Sequence, residues 1–335
     1  MYNHVCIAFA FTLTLFLLSN VSAGSNGDAP QEGQDWIITQ DTHVWNDEVN
    51  VKNIIVTIGK TLKLENVSLS SEGQIELFGD ARWINSTVYH SQGSSGDNIS
   101  LYAKLHIINS DLTLKSMQKN SEPTSNRIYL ASGSTLIVRD FDSDPFTIND
   151  RSLISSDLSG KGDYNDKWNY TSSIGVIGDL NDGTGIDNTK IMIENSDFSQ
   201  IQSIIFTGEN SYIRNSTFNE TGNINSALDN FVFSNNTLAN SVIRNTLEFE
   251  VGHVGDYAIF ENNIFDNGTG GLGFFGNFTT VNNNVFKNYE NRGGEATLTL
   301  FNATSNTTIT NNVFHNLSRI HAIYLQTSDD NIIVN

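Results

Sequence analysis

The sequence predicts an all-β solenoid, a chain wound into stacked coils of short strands. Two observations carry that prediction. In the last third of the chain an asparagine recurs with an apolar residue two positions before it and another three positions after it. The copies are Ile193-Asn195-Phe198, Ile213-Asn215-Phe218, Phe233-Asn235-Leu238, Phe260-Asn262-Phe265, Val281-Asn283-Phe286 and Ile309-Asn311-Phe314. The residue after each anchor is small and polar: Ser196, Ser216, Asn236, Asn263, Asn284 and Asn312. Internal repetition at this period is the mark of a solenoid.

The repeat dictates its own local structure. Strand side chains alternate, so the anchor and the residue two before it share a face. The apolar residue at plus three breaks that parity. A bend therefore falls between, and the second apolar residue points inward from a new strand. Asparagine suits the bend, because it tolerates left-handed backbone and its amide can bond the local main chain. With the anchors inward, each amide would also meet the one above, as in stacked-strand ladders. The apolar partners Ile, Val and Phe are strand formers. A helical repeat would need apolar residues at three- and four-residue spacing among Ala, Leu, Glu and Lys, whereas these segments are filled with Asn, Thr, Ser and Gly. The anchor spacing, from 20 to 28 residues, fits a constant cross-section with loops of varying length.

The signature continues upstream, more raggedly, at Leu64-Asn66-Leu69, Trp83-Asn85-Val88 and Ile107-Asn109-Leu112. Gly59-Lys60-Thr61-Leu62 and Gly133-Ser134-Thr135-Leu136 read as turns feeding strands. The expected organisation is a signal peptide over 1–23 and a flexible linker over 24–35. Irregular β-rich coils follow over 36–190, with an acidic loop insertion at 140–190, and regular coils fill 191–335.

Runs such as Phe260-Glu261-Asn262-Asn263-Ile264-Phe265-Asp266-Asn267 and Ile309-Thr310-Asn311-Asn312-Val313-Phe314-His315-Asn316 resemble secreted right-handed parallel β-helix proteins of the pectate-lyase-like superfamily. The resemblance covers roughly residues 50–335. It implies a right-handed parallel β-helix and leaves activity open, since that superfamily holds lyases, hydrolases, epimerases, adhesins and surface proteins without enzymatic activity.

The ends and the charge bound the setting. Ile7 to Leu18 is an apolar stretch too short to span a bilayer, and Val21-Ser22-Ala23 is a small-residue cleavage site, so the chain is expected to be secreted or held at the cell surface. Cys6, the single cysteine, lies inside that leader, so no disulfide is expected in the mature chain. The net charge is −19, with 37 acidic residues against 18 basic, which disfavours nucleic acid as a partner. Nothing resembles a dinucleotide or phosphate loop. Asn98, Asn169, Asn267 and Asn302 are the sequons expected on exposed loops; the anchors Asn66, Asn85, Asn215 and Asn235, expected inward, are excluded as acceptors. The chain closes on Ile332-Ile333-Val334-Asn335, the anchor of another coil, and the expectation is a piece of a longer protein.

Residues able to carry chemistry are sparse. Asp179-Leu180-Asn181-Asp182-Gly183-Thr184-Gly185-Ile186-Asp187 resembles an acidic Ca²⁺ loop one residue short, with Lys190 where a bidentate acid would stand. Asp179, Asn181, Asp182 and Asp187 are thus the candidate ligands, and Ca²⁺ is the one cofactor considered. Trp168 and Tyr170 in the same insertion are candidates for stacking on sugar rings. Glu248-Phe249-Glu250 would put two carboxylates on one strand face, either outward toward Ca²⁺ or a sugar or simply solvated. A lyase resembling the superfamily would need an Arg-x-Pro-x-x-Arg segment, which is missing from this sequence. A hydrolase would need paired acids near a Gly-His-Gly segment; Asp329-Asp330 and Gly252-His253-Val254-Gly255 match it only superficially. The expectation is an exported, non-catalytic protein that binds polysaccharide or cell-surface glycans, or that serves a structural or adhesive role. A polysaccharide lyase or glycoside hydrolase is the alternative.

Overall fold

The computed structural model describes residues 23–91, 98–115, 118–119, 122–123, 126–140, 151–157, 173–175, 189–241, 249–289, 296–301, 304–326 and 329–334. They form an all-β parallel solenoid. Each coil contributes one strand to each of three sheets. The first coil supplies Trp36–Ile38 to sheet I, Thr42–Trp45 to sheet II and Glu48–Val51 to sheet III, and the order repeats along the chain. Sheets I, II and III contain 12, 13 and 11 strands. Twelve steps of ~4.8 Å make sheet II roughly 60 Å tall.

Coil-to-coil pairing is parallel. The exception at the edge is Gly24–Asn26, which runs antiparallel along Thr42–Trp45 in the region expected to be linker. The coils upstream of residue 190 stack in the same register as the later ones: Val44 pairs with Leu64, Leu64 with Trp83 and Trp83 with Ile107. In the regular repeats Ile193, Ile213, Phe233, Phe260, Val281 and Ile309 form one column. The residues at anchor plus three form the neighbouring column in sheet III, where Phe265, Phe286 and Phe314 stack at 4.7 and 5.1 Å between centroids. These columns merge into one core running the length of the stack.

Every anchor has left-handed backbone: φ is 49° at Asn195, 53° at Asn215, 55° at Asn235, 56° at Asn262, 55° at Asn283 and 55° at Asn311. Each keeps its place in the ladder, for example Asn235 N–H donating to Glu261 O at 3.0 Å and Asn283 N–H to Thr310 O at 3.1 Å. The same conformation recurs five residues either side of the anchor, at Asn230 and Asn240 around Asn235 and at Asn306 and Asn316 around Asn311. A coil of sheets I, II and III thus turns at left-handed corners.

One expectation is corrected. The anchor amides do not point inward: Asn235, Asn262, Asn283 and Asn311 are exposed, Asn215 is half-buried, and Asn195 is covered by its bond to Asp140. A left-handed residue swings its own side chain out and resets the alternation, so the next residue faces the core. The internal ladder is therefore built from Ser196, Ser216, Asn236, Asn263, Asn284 and Asn312, all buried. Asn263 Oδ1 accepts from Asn236 N–H at 2.9 Å, and Asn263 Nδ2 donates to Phe233 O and Asn284 Oδ1, each at 2.9 Å. Asn284 and Asn312 repeat the scheme. The exclusion of the anchors as glycan acceptors falls with it, because Asn66, Asn85 and Asn235 are exposed.

Candidate functional site

In a solenoid whose interior is filled, chemistry must be sought on the outer strand faces. On sheet I the outward row Val254, Phe275 and Phe301 lies on successive coils, and Phe275 stacks on Phe301 at 4.5 Å with the planes 11° apart. Phe249 meets Phe301 edge-on at 5.3 Å. Its ring lies over Gly273, where a β-carbon would come within 2.5 Å of it. The glycine is what lets the ring lie down on the sheet.

Around the corner from this row stands a second pair. Tyr257 and Phe278 stack at 5.0 Å with planes 8° apart, and they are 53% and 48% exposed. Their backbone is left-handed, with φ of 60° and 56°. Adjoining coils fill the same corner with Asn210, Asn230, Asn306 and Asp330, residue types that accept this conformation readily. Two bulky aromatics thus occupy a left-handed corner that four other coils fill with Asn or Asp.

A polar seam lies beside the pair. Asp229 Oδ1 accepts from Asp256 N–H at 2.8 Å, Asp256 Oδ1 accepts from Asn277 N–H at 2.7 Å, and Asn277 Oδ1 accepts from Ser305 Oγ–H at 2.8 Å. These bonds tie four successive corners together and hold the backbone that carries Tyr257 and Phe278.

Residues suggested by the sequence fall differently. Glu250 is fully buried, so its half of the Glu248-Phe249-Glu250 pair neither faces solvent nor lines a groove. Its carboxyl accepts from Tyr289 Oη at 2.7 Å and Gly270 N–H at 3.2 Å, and a β-carbon at Gly268 would overlap it. Burial raises its pKa, opposed by the Tyr289 hydroxyl and the amides of Gly270, Gly271 and Thr269. His253 sits in the core between Phe231 and Phe260, with Nδ1 bonded to Ser226 Oγ at 2.8 Å. Burial lowers its pKa to about 4 against the Gly255 backbone and the charges of Asp229 and Asp256. It is therefore removed from the outer face.

Trp168, Tyr170, Asp179, Asn181, Asp182, Asp187, Asn169 and Asn302 lie outside the described residues. Among the described residues no group of three or more His, Cys, Asp or Glu is placed to hold a metal ion, and no helix is long and apolar enough to cross a membrane. Asn267 is exposed at a left-handed corner, its Nδ2 donating to Asn240 Oδ1 at 2.9 Å, and Asn98 is half-buried. Sequence reasoning missed Tyr257 and Phe278. Their signal was available: each stands five residues before an anchor, where Asn210, Asn230 and Asn306 stand in other coils.

Fold and faces together define a class: a parallel β-solenoid displaying aromatic side chains on its outer strands and corners. No family model and no curated protein matches the chain. Among solved structures it is similar to the catalytic domain of a GH87 α-1,3-glucanase in complex with nigerose, at 12% identity and a TM-score of 0.36. That match covers 93% of this chain and 65% of the glucanase chain.

Proposed function

We propose that this is an exported, non-catalytic carbohydrate-binding β-helix protein, acting at the cell surface or outside the cell. The single observation that carries the reading is the Tyr257–Phe278 stack, held in left-handed backbone at a corner where the repeat uses Asn or Asp. Backbone strain at exposed groups points toward function rather than packing. Flat, exposed, stacked rings are what sugar faces bind, with hydroxyls meeting a polar seam of the Asp256 and Asn277 kind. Phe275 and Phe301 extend the same apolar surface onto sheet I.

Isothermal titration against a panel of neutral soluble polysaccharides, and pull-down on insoluble ones, tests the proposal. The wild type is expected to bind at least one, and Tyr257→Ala/Phe278→Ala to lose that binding while keeping its β-sheet circular dichroism. Binding unchanged in the double variant would sink the reading. A parallel assay for released reducing ends and unsaturated products, with and without Ca²⁺, is expected to stay at background; turnover would establish the enzymatic alternative.

A further inference from the structure

The chain carries a net charge of −19, yet one outer face is basic. On sheet II the outward positions of successive coils are His43, Lys63, Arg82 and His106, in register. Lys104 lies on the same strand as His106, and Arg139 on the next strand. Lys63 and His43 are engaged by Glu65, at 2.5 and 3.0 Å. Arg82, Lys104 and Arg139 are exposed and have no carboxylate partner among the described residues. All three act on His106, whose pKa is lowered first by burial and then by the charges of Arg82, Arg139 and Lys104, with Asp80 alone opposing. Like charges gathered on one face repel one another, and Asp80 is the carboxylate that opposes them at His106.

A second feature adjoins this face. Phe78 and Tyr102 stack at 4.5 Å with planes 12° apart, Tyr102 is 41% exposed, and Tyr129 meets it edge-on at 6.5 Å. Phe78 stands two residues before Asp80, and Tyr102 two residues before Lys104, at the corner where sheet I passes into sheet II. The aromatic surface therefore stands at the start of the sheet II strands beside Lys104, and the cations run from there across the outer face to Arg139, which is level with Ile108 at the strand's far end.

We propose that this face, from the Tyr102 corner across sheet II to Arg139, is a second binding site, specific for an acidic glycan. The sugar ring lies on Tyr102, and carboxylate or sulfate groups on the chain meet Arg82, Lys104 and Arg139. Neighbouring rungs are ~4.8 Å apart, so cations on successive coils recur on the scale of a sugar residue. A single-stranded nucleic acid also combines rings with charges, but it would carry its charge across a surface that is acidic elsewhere. The site is independent of the Tyr257–Phe278 surface and lies on coils far from it along the stack.

Binding is measured by titration calorimetry with polygalacturonate for the carboxylate, dextran sulfate for the sulfate and neutral dextran as the uncharged control. Single-stranded DNA and anionic vesicles are run alongside. At least one acidic glycan is expected to bind more tightly than neutral dextran, DNA or vesicles, and to weaken as salt is raised. Arg82→Ala/Arg139→Ala is expected to lose on the order of tenfold in affinity or more, since each charge-assisted contact is worth about that much. Tyr102→Ala is expected to weaken binding with an unchanged salt dependence. Tyr257→Ala/Phe278→Ala is expected to leave this binding intact, which separates failure here from failure of the first site. Neutral dextran, DNA or vesicles binding as tightly as the acidic glycans would overturn the proposal. So would a folded Arg82→Ala/Arg139→Ala variant that binds like the wild type.

Discussion

Replacing Tyr257 by Ala, Asn and Gly in turn separates the strain at the aromatic corner from the worth of the ring. All three variants remove the same side chain from its stack on Phe278. They therefore share the loss of one aromatic pair, about 0.5–1.5 kcal/mol, plus the burial of a ring that is about half covered. They differ in the backbone they prefer. With φ at 60°, Ala keeps a left-handed penalty of about 1–2 kcal/mol, Asn is relieved of part of it and Gly of nearly all. Stability is therefore expected to rise from Ala to Asn by about 1 kcal/mol. At an ordinary surface site the two would lie within about 0.5 kcal/mol of each other. Urea denaturation followed by circular dichroism reads the difference, and calorimetry on the same samples reads glycan affinity. All three should lose affinity. Equal stability of the Ala and Asn variants would show that the corner stores no strain. An Asn variant that binds as the wild type would show that the ring has no ligand.

Two further outcomes follow from the interior. Because burial lowers the His253 pKa from 6.5 to about 4, the folded state refuses a proton that the unfolded chain accepts. Its stabilising contribution is therefore complete above pH 6.5 and is lost as pH falls through about 4; at about 1.36 kcal/mol per unit, roughly 3 kcal/mol is at stake. Wild type should lose about that much more than His253→Gln between about pH 7.5 and about pH 4 in denaturation measurements, and the imidazole resonances should titrate near 4; a normal titration near 6.5 would contradict the burial argument. In the internal ladder, Asn263→Ala strands Asn236 N–H and Phe233 O in the core and should cost about 2–4 kcal/mol, whereas Asn263→Ser should cost clearly less. The reason is that Ser216 already serves at the equivalent position, its hydroxyl accepting from Ser196 N–H at 3.2 Å as Asn263 Oδ1 does from Asn236 N–H. Equal destabilisation by Ala and Ser would refute the ladder's role.

The solenoid was legible because the core columns are written at fixed offsets from each anchor. Ile213, Phe233 and Phe260 come two residues before theirs, and all three are buried in register. What the pattern hides is which neighbour of a corner faces in. Strand alternation assigns Asn235 to the core, but a φ of 55° hands the inward position to Asn236, and no periodicity argument carries that rotation. The third sheet was also missed, because its strands, such as Ser203–Phe206 and Val251–Val254, carry no anchor of their own. The buried fates of Glu250 and His253 depend on contacts with Tyr289 and Ser226, which are distant in sequence and belong to other coils.

A repeat that satisfies its interior by one rule leaves its outer positions free, so a role beyond folding is to be sought where an outer position departs from what the fold needs. Asparagine at the corner before an anchor satisfies the backbone; Tyr257 and Phe278 satisfy it less well and expose two rings in parallel. Polar or acidic side chains on sheet II would keep an acidic protein soluble; Arg82, Lys104 and Arg139 instead gather like charges around a half-buried histidine. Neither departure contributes to the hydrophobic columns, and each carries a local energetic penalty. Because the coils stack rigidly at a fixed rise, both sets are held at rung spacing before any ligand arrives, so little ordering remains to oppose binding. The two surfaces differ in charge, one aromatic beside the carboxylates of Asp229 and Asp256, the other aromatic and cationic, and they lie on different coils.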